Sequence, residues 1–390
     1  MLKKSIENNT PSLLLLILLV GFPQISETIF SPSLPSIAKE FNTSTSNAQL
    51  TMSVYFIAFA FGVFFFGRLS DRIGRRKAML VGLFFYFIGN LLCLASNGIS
   101  VLLVARFVQA FGASVGSIVT QTILRESFSG VHRHRLFAKI SAVLAFSPAI
   151  GPLIGGFAEY YFGFKVVFWV LVAMSIALFC YAFLRLPETK PATIRLQLLL
   201  PIIKRMITNQ RLWYYGILIG GLNGILFSYY TEAPFIFIQY FSLTSAMFGF
   251  LGIIVATATI SGAMLSNRLV SKIKPEKIIM HGLIILISGT ILACSTPLLP
   301  TLQLPIMITS VFIILFGIGT ALPNCLSLAL NDFQDVIGSA GAIFSLCYYL
   351  LVSATTYGMS VLQNGTILAM PLYFLLLGFV MLLIGFRIQK

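Results

Sequence analysis

Three ionisable side chains interrupt long apolar stretches of this 390-residue chain: Glu27, Arg106 and Glu232. The stretches are apolar enough to lie in a bilayer, where a charged side chain costs about 2.5–3.5 kcal/mol even on a lenient scale. Side chains kept at that cost commonly bind ions or relay protons. A carboxyl can gain and lose a proton, whereas an arginine keeps its charge and needs a partner. These residues are therefore our candidates for proton coupling.

Glu27 has several polar neighbours in the sequence: Gln24, Ser26, Thr28 and Ser31. A carboxyl in such a half-dry site can exchange a proton near neutral pH, as a proton-coupled carrier requires. The alternative is that Glu27 caps a helix break near Pro32 or faces the outer lipid headgroups.

Arg106 and Glu232 are each open to two interpretations. Glu27 is the expected partner of Arg106, although a purely structural bond from Arg106 to the backbone of the first helix is the alternative. In the sequence, Glu232 is about as far from Arg211 as Glu27 is from Lys4. We therefore expect both carboxyls to face one cavity at similar depth. The alternative is that Pro234 ends the helix near water and leaves Glu232 at the interface.

The elements that must position these side chains are membrane-spanning helices. The chain is 58% hydrophobic and only 9% charged, which leaves no room for a large soluble domain. A spanning helix needs roughly 20 apolar residues, and an isolated strand cannot satisfy its backbone in lipid. The sequence therefore predicts an all-α polytopic membrane protein of twelve spans. The predicted spans are 12–34, 48–67, 78–96, 99–122, 136–158, 164–184, 213–235, 245–266, 278–298, 304–325, 338–361 and 367–386.

The cations predict the orientation of these spans. With the N-terminus inside, 23 of the 26 Lys and Arg residues fall on cytoplasmic segments, and only Lys39 and Lys165 fall outside. Both termini are therefore expected in the cytoplasm. The net charge of +15 is explained by this topology, with the bilayer rather than a nucleic acid as partner.

The longest polar connection divides the chain into two halves. It is charged and contains Pro187, Pro191 and Pro201, which is typical of a linker. We predict an N-terminal six-helix half (1–190), a cytoplasmic linker (191–211) and a C-terminal six-helix half (212–390). Such halves can rock about a central site. Because no small-x-small cleavage site follows the first apolar run, it is expected to be an uncleaved span rather than a signal peptide.

No pattern typical of an enzyme or metal site occurs in the sequence. The five cysteines lie in predicted spans without a C-x-x-C pair, and the three histidines form no ligand set. A phosphate-binding G-x-x-x-x-G-K-S/T motif is also missing. We therefore expect no catalysis, no metal and no cofactor, with a proton gradient as the energy source.

The loop between the second and third spans carries a recognisable motif, Gly67-Arg-Leu-Ser-Asp-Arg-Ile-Gly-Arg-Arg-Lys77. It resembles the signature loop of the major facilitator superfamily of transporters. The resemblance implies a conformational latch made of Gly67, Asp71, Arg72, Gly74, Arg75, Arg76 and Glu126. In it Asp71 would meet the helix start near Gly338, and Arg75 or Arg76 would pair with Glu126. The alternative, that these charges only fix the topology, accounts for the cations but not for Asp71.

Two further motifs carry the same resemblance. Leu103-Val-Ala-Arg-Phe-Val-Gln-Ala-Phe-Gly112 has the Arg, Gln and Gly spacing of the family's fourth span. Ser147-Pro-Ala-Ile-Gly-Pro-Leu-Ile-Gly-Gly156 resembles the antiporter motif of the fifth span, except that Ser147 stands where that motif usually has its first glycine. The residues carried over from that motif are Pro148, Gly151, Pro152, Gly155 and Gly156. The alternative for this segment is a helix-packing face.

Together the motifs resemble the twelve-span drug:proton antiporters of the bicyclomycin/chloramphenicol-resistance (Bcr/CflA) branch. That resemblance implies a monomeric multidrug exporter of the bacterial inner membrane. One departure is that Thr28 stands where the branch commonly carries an Asp, with Glu27 one place earlier. One residue corresponds to about 100° of helix rotation.

The substrate is expected to be a hydrophobic neutral or cationic small molecule. Carboxyls favour cations, and aromatic side chains suit an adaptable apolar pocket. The predicted cavity residues are Gln24, Tyr55, Gln109, Tyr229 and Tyr230. One alternative is a proton symporter that imports a metabolite or siderophore on the same fold. Another is a membrane sensor or scaffold that transports nothing.

Overall fold

Helices make up most of the part of the chain that the structure describes. This computed structural model describes residues 11–128, 130–191 and 198–389. Ten stretches of these residues are long and apolar enough to cross a membrane. The prediction of an all-helical membrane chain is confirmed for this part of the protein.

Seven helices precede the linker, one short helix lies within it, and six follow it. The first group is α1 (Leu13–Thr28), α2 (Leu34–Glu40), α3 (Thr45–Ile73), α4 (Arg75–Leu94), α5 (Ile99–Ser127), α6 (Gly130–Phe162) and α7 (Phe164–Arg185). The second group is α8 (Leu199–Thr208), α9 (Gln210–Pro234), α10 (Ser245–Leu269), α11 (Pro275–Cys294), α12 (Gln303–Ala329), α13 (Ile337–Leu362) and α14 (Ala369–Ile388). We call α1–α7 the N-terminal helices and α9–α14 the C-terminal helices.

Local chemistry sets several helix boundaries. The Ser44 hydroxyl accepts a bond from the Asn47 amide at the start of α3 (3.2 Å), and Asn209 does the same for Leu212 at the start of α9 (2.9 Å). Gly74 separates α3 from α4 with a φ of 100°, which favours glycine. α1 ends at Thr28, before the predicted limit at 34, because a 3-10 turn with Pro32 intervenes.

Two helix pairs join the N-terminal helices to the C-terminal helices. α3 packs along α13, and α6 packs along α10. A Cβ on Gly67 of α3 would lie 3.8 Å from the Ala342 Cβ of α13, while Gly156 of α6 lies against Gly249 of α10. The small residues allow close backbone approach, as is usual between membrane helices.

The segment that joins the two groups contacts both of them at one end of the molecule. The Glu188 carboxylate accepts bonds from the backbone N–H groups of Arg75 (2.8 Å) and Arg76 (3.3 Å). Farther on, Arg205 of α8 forms an ion pair with Asp335 at 2.8 Å. We call this end, which carries the 68–77 loop and the 331–336 turn, the linker end. The other is the opposite end.

Candidate functional site: a cavity between the two groups of helices

A central cavity of about 310 Å³ lies between the N-terminal and C-terminal helices. Its walls come from α1, α3, α5, α9, α10, α12 and α13. The lining residues are Val20, Pro23, Gln24, Glu27, Thr28, Phe59, Ser117, Asn223, Leu226, Phe227, Tyr230, Thr259, Ile260, Ala263, Ile318, Gly319, Leu322, Pro323 and Tyr349. The walls are thus mainly apolar and aromatic, which suits an organic molecule.

A second cavity of about 580 Å³ continues the first toward the linker end. The two cavities share Gln24, Ser117, Asn223, Leu322 and Tyr349 in their walls. The second one reaches the exposed residues Gln334 and Gly338 of the linker end. The central cavity therefore communicates with that end of the molecule.

Glu27 lies in the wall of the central cavity on the last turn of α1. It is 4% exposed, and it is the one carboxylate among the described lining residues. The Thr28 hydroxyl donates to the Gln24 carbonyl (2.9 Å), which fixes the end of the helix beside it. A molecule in the cavity can thus meet a single carboxyl group on a mainly apolar and otherwise uncharged surface.

Arg106 is fully buried among the N-terminal helices and lies between two aromatic rings. Its guanidinium is 4.7 Å from the Phe30 ring centroid and 4.4 Å from that of Tyr55. It donates a hydrogen bond to the Gln109 side chain, while its Nε lacks a partner. Cation–π contacts of this kind stabilise a desolvated cation.

The expected ion pair between Glu27 and Arg106 is not formed among the described residues. Arg106 bonds to Gln109, which in turn donates to Asn90, and the Asn90 amide reaches the Leu171 carbonyl (3.3 Å). The physical reason is that the aromatic rings and this amide chain already surround the guanidinium. The two charges still lie in one low-dielectric region, where each influences the other.

Glu232 does not share the cavity of Glu27, so that prediction is wrong. Its buried carboxylate accepts a hydrogen bond from the Gln49 side chain of α3. It lines a separate cavity of about 240 Å³ at the opposite end, together with Gln239, Gln363 and Thr366. Glu27 and Glu232 follow their upstream cations at similar distances in the sequence, yet they lie at different depths. The reason is that α1 begins only at Leu13 and ends at Thr28, directly after Glu27.

Three other predicted cavity residues also lie elsewhere. Tyr55 faces Arg106, Gln109 bonds to Arg106, and Tyr229 packs in a small apolar pocket with Phe237 and Leu251. Gln24 and Tyr230 do line the cavity. Tyr229 and Tyr230 are adjacent, so helical rotation turns one toward the cavity and the other away.

Several lining residues were not predicted from the sequence. Asn223, Phe227, Pro323 and Tyr349 carry no motif and stand among many similar residues. A helical-periodicity comparison of polar positions could have singled out Asn223, since it is the one amide within the apolar run of α9.

The path is closed at the opposite end by contacts between the two groups of helices. The Ser31 hydroxyl donates to the Tyr230 carbonyl (2.5 Å), and the Ser353 hydroxyl donates to the Ser53 carbonyl (2.8 Å). Between these bonds and the cavity, the Phe56 ring packs against the Phe227 ring, tilted by 51° with centroids 4.4 Å apart. Together with the bond between Gln49 and Glu232, these contacts separate the cavity from the opposite end.

The glycines at 151–156 place α6 against two different neighbours. A Cβ on Gly151 would overlap Thr28, and one on Gly155 would overlap the Ile29 carbonyl, both in the N-terminal helices. A Cβ on Gly156 would overlap the Ser245 carbonyl of α10 and lie 3.1 Å from the Gly249 Cα. Gly156 therefore lies at the contact between the two groups, whereas Gly155 packs within one. The Pro148 side chain lies outside the described residues.

The basic loop forms part of the predicted latch contacts. Arg75 binds Asp71 (2.7 Å) and Glu126 (2.5 Å), so one of the two predicted partners of Glu126 is present. Among the described residues, Asp71 forms its ion pair with Arg75 and no hydrogen bond to the start of α13. Gly338 instead borders the larger cavity. The sequence did not point to Glu188 or Asp335, because single exposed acids in polar segments look like ordinary surface residues.

A cavity that lies between two groups of apolar helices and, in the described part of the chain, communicates with one end of the molecule is typical of a membrane transporter. Comparisons with known proteins agree. The sequence profile of the Major Facilitator Superfamily matches residues 16–356, and the chain belongs to that family. It is therefore a multi-pass membrane transporter, not an enzyme.

Two relatives and one solved structure illustrate the match. An uncharacterized transporter of Rickettsia bellii (strain RML369-C) is 35% identical over 94% of this chain and 93% of its own. A chloramphenicol resistance protein of Pseudomonas aeruginosa is 27% identical over 91% of this chain and 85% of its own. A D-xylose-proton symporter has the same fold, with a TM-score of 0.74 over 95% of this chain and 96% of its own, at 15% identity.

Proposed function

We propose that this protein is a proton-coupled antiporter that exports hydrophobic neutral or cationic small molecules by alternating access. The main support for this proposal is the central cavity, because it is mainly apolar, lies between two groups of helices and has one carboxylate in its wall, Glu27. A single acid that can hold either a proton or a cationic substrate makes the two compete, which couples their movements.

The proposal includes a complete topology. α6 and α9 join the ten apolar stretches as the remaining spans, giving twelve spans in halves 1–190 and 212–390 with the linker 191–211. Both termini lie in the cytoplasm, and a monomer suffices because the cavity is formed within one chain. The linker end then faces the cytoplasm, in keeping with its many cations.

The present conformation corresponds to the inward-facing state of such a cycle. The cavity reaches the linker end, and the opposite end is closed by hydrogen bonds and by Phe56. In the alternative state the contacts at the opposite end would open, and Asp71 would approach the start of α13. This exchange of contacts is how two halves rock about a fixed site.

Export is favoured over import by two observations. The glycine-rich segment 147–156 resembles the antiporter motif and lies at the contact of α6 with α10. The chain also resembles a chloramphenicol resistance protein along most of its length. The aromatic and aliphatic walls favour greasy compounds over sugars, which need many hydrogen-bond partners.

Inside-out vesicles with an acidic lumen test the proposal. A pH-sensitive dye reports proton leakage while chloramphenicol, a lipophilic cationic dye and a sugar are added one at a time. We expect the first two to dissipate the gradient only in vesicles that contain the protein. If right-side-out vesicles accumulate a compound with protons, or no compound moves protons in either direction, the export proposal is wrong.

The hydrogen bond between Gln49 and Glu232 predicts a measurable energetic coupling across the closed end. A hydrogen bond to a charged group contributes about 1.5–3 kcal/mol, which is a shift of roughly tenfold or more in the ratio of the two states. Gln49→Ala and Glu232→Ala should each lower the labelling rate of a cysteine at position 121, which borders the larger cavity. The double variant should be no lower than either single one.

Gln239→Ala is the matched control, because Gln239 lines the same opposite-end cavity without a recorded bond to the N-terminal helices in the described residues. The five native cysteines are replaced beforehand. Additive effects of the two substitutions would show that the bond does not hold this end closed.

A further inference from the structure

A third cavity, of about 560 Å³, lies away from the transport path at the linker end. Three elements meet there: the start of α9, the start of α11 and the end of α14. They contribute four cationic residues and one acid. The charged lining residues are Arg211, Lys274, Lys277, Arg387 and Glu276.

The charge in this cavity is poorly compensated. Arg211 has Glu276 within 3.1 Å, and no other of these cations has a carboxylate within 4 Å among the described residues. The N-termini of α9 and α11 add the positive ends of two long helices. Like charges gathered in this way repel one another unless an anion lies between them. The cavity is therefore suited to a phosphate group.

The surface next to the cavity is apolar, which distinguishes a lipid from a soluble anion. α11 and α14 pack against each other. Ile284 lies two turns along α11 from Lys277 and is 53% exposed, and Leu383 lies one turn along α14 from Arg387 and is 68% exposed. The cations and these exposed side chains thus share one outer face of the helix pair.

We infer that this cavity binds the phosphate headgroup of an anionic phospholipid, whose acyl chains lie along the exposed face of α11 and α14. Basic pockets between membrane helices recognise anionic headgroups in this way. The Tyr214 ring at the cavity edge is placed as interfacial aromatics commonly are. The inference is independent of the proposed direction of transport and of Glu27.

The test uses the full chain, purified in an uncharged detergent and titrated with phosphatidylglycerol, phosphatidylcholine or inorganic phosphate. The midpoint of thermal unfolding reports binding, and native mass spectrometry counts retained lipid. We expect phosphatidylglycerol alone to raise the midpoint. Since each surface cation contributes about 1 kcal/mol of attraction, Lys274→Gln/Lys277→Gln should raise the half-saturating lipid concentration roughly ten- to thirtyfold.

Arg268→Gln/Lys272→Gln is the matched control. Arg268 lies on the last turn of α10 and Lys272 in the connection to α11; both are exposed, carry the same charge as the lysine pair, and are not in the cavity wall. Their replacement should leave the half-saturating concentration within about twofold of wild type if only general surface charge is altered. Equal weakening by both pairs, or equal stabilisation by both lipids, would overturn the inference. Stabilisation by inorganic phosphate at the same concentrations would make this a site for a soluble anion and would equally overturn it.

Discussion

Replacing Glu27 with Gln is expected to abolish proton-driven export while leaving the binding of a neutral substrate in place. The amide has nearly the shape of the carboxyl but cannot take up and release a proton. One proton exchanged per substrate lets one pH unit sustain a substrate ratio of about ten, because one unit corresponds to about 1.36 kcal/mol. In proteoliposomes with a pH step of one unit, the variant should instead reach a ratio near one.

Two measurements separate loss of coupling from loss of folding. Exchange of labelled for unlabelled neutral substrate, without any pH step, should persist in Glu27→Gln because the other lining residues are unchanged and the amide has nearly the shape of the carboxyl. Glu40→Gln is the matched control, since it makes the same chemical change at the exposed last residue of α2. If Glu27→Gln still concentrates substrate tenfold, another group carries the proton, with Glu232 the next acid to test.

The overall fold could be predicted from the sequence because the bilayer imposes it. Apolar runs of helix length and the bias of the cations follow from the cost of placing polar groups in lipid. Helix ends were less accessible. The break after Thr28 depends on one 3-10 turn, and the apolar run itself continues through it. α8 was also not anticipated, because its residues 199–208 form a short apolar run, interrupted by a proline and two cations, that is too short to span a bilayer.

The site was only partly predictable, because a sequence gives residue types but not the directions in which they point. Glu27 stood out by its cost in lipid, and it does lie in the cavity. Glu232 stood out for the same reason, yet in the structure its carboxylate accepts a hydrogen bond from the Gln49 side chain and does not line the central cavity. Arg106 was expected to seek a carboxylate, but aromatic faces and an amide surround it instead. A motif identifies unusual residues, whereas their partners follow from tertiary packing.

Adjacent glycines on α6 offer the second large expected effect, since Gly155 and Gly156 touch different groups of helices. A methyl group at Gly156 would overlap the Ser245 carbonyl across the contact with α10. Overpacking typically costs about 1–3 kcal/mol, and this cost applies mainly while the opposite end is closed. Gly156→Ala should therefore shift the equilibrium away from the inward-facing state by roughly ten- to a hundredfold. Labelling of a cysteine at position 121 should slow accordingly.

Gly155→Ala is the control, because its methyl group would overlap the Ile29 carbonyl within the N-terminal helices. That contact persists in both states of the cycle if the halves move as rigid bodies. Gly155→Ala should thus lower the thermal unfolding midpoint without a selective change in labelling at position 121. The opposite pattern, or the same change in both variants, would mean that α6 and α10 do not separate during transport. The contact between these helices would then persist throughout the cycle, and the opposite end would have to open by separation of α3 from α13 alone.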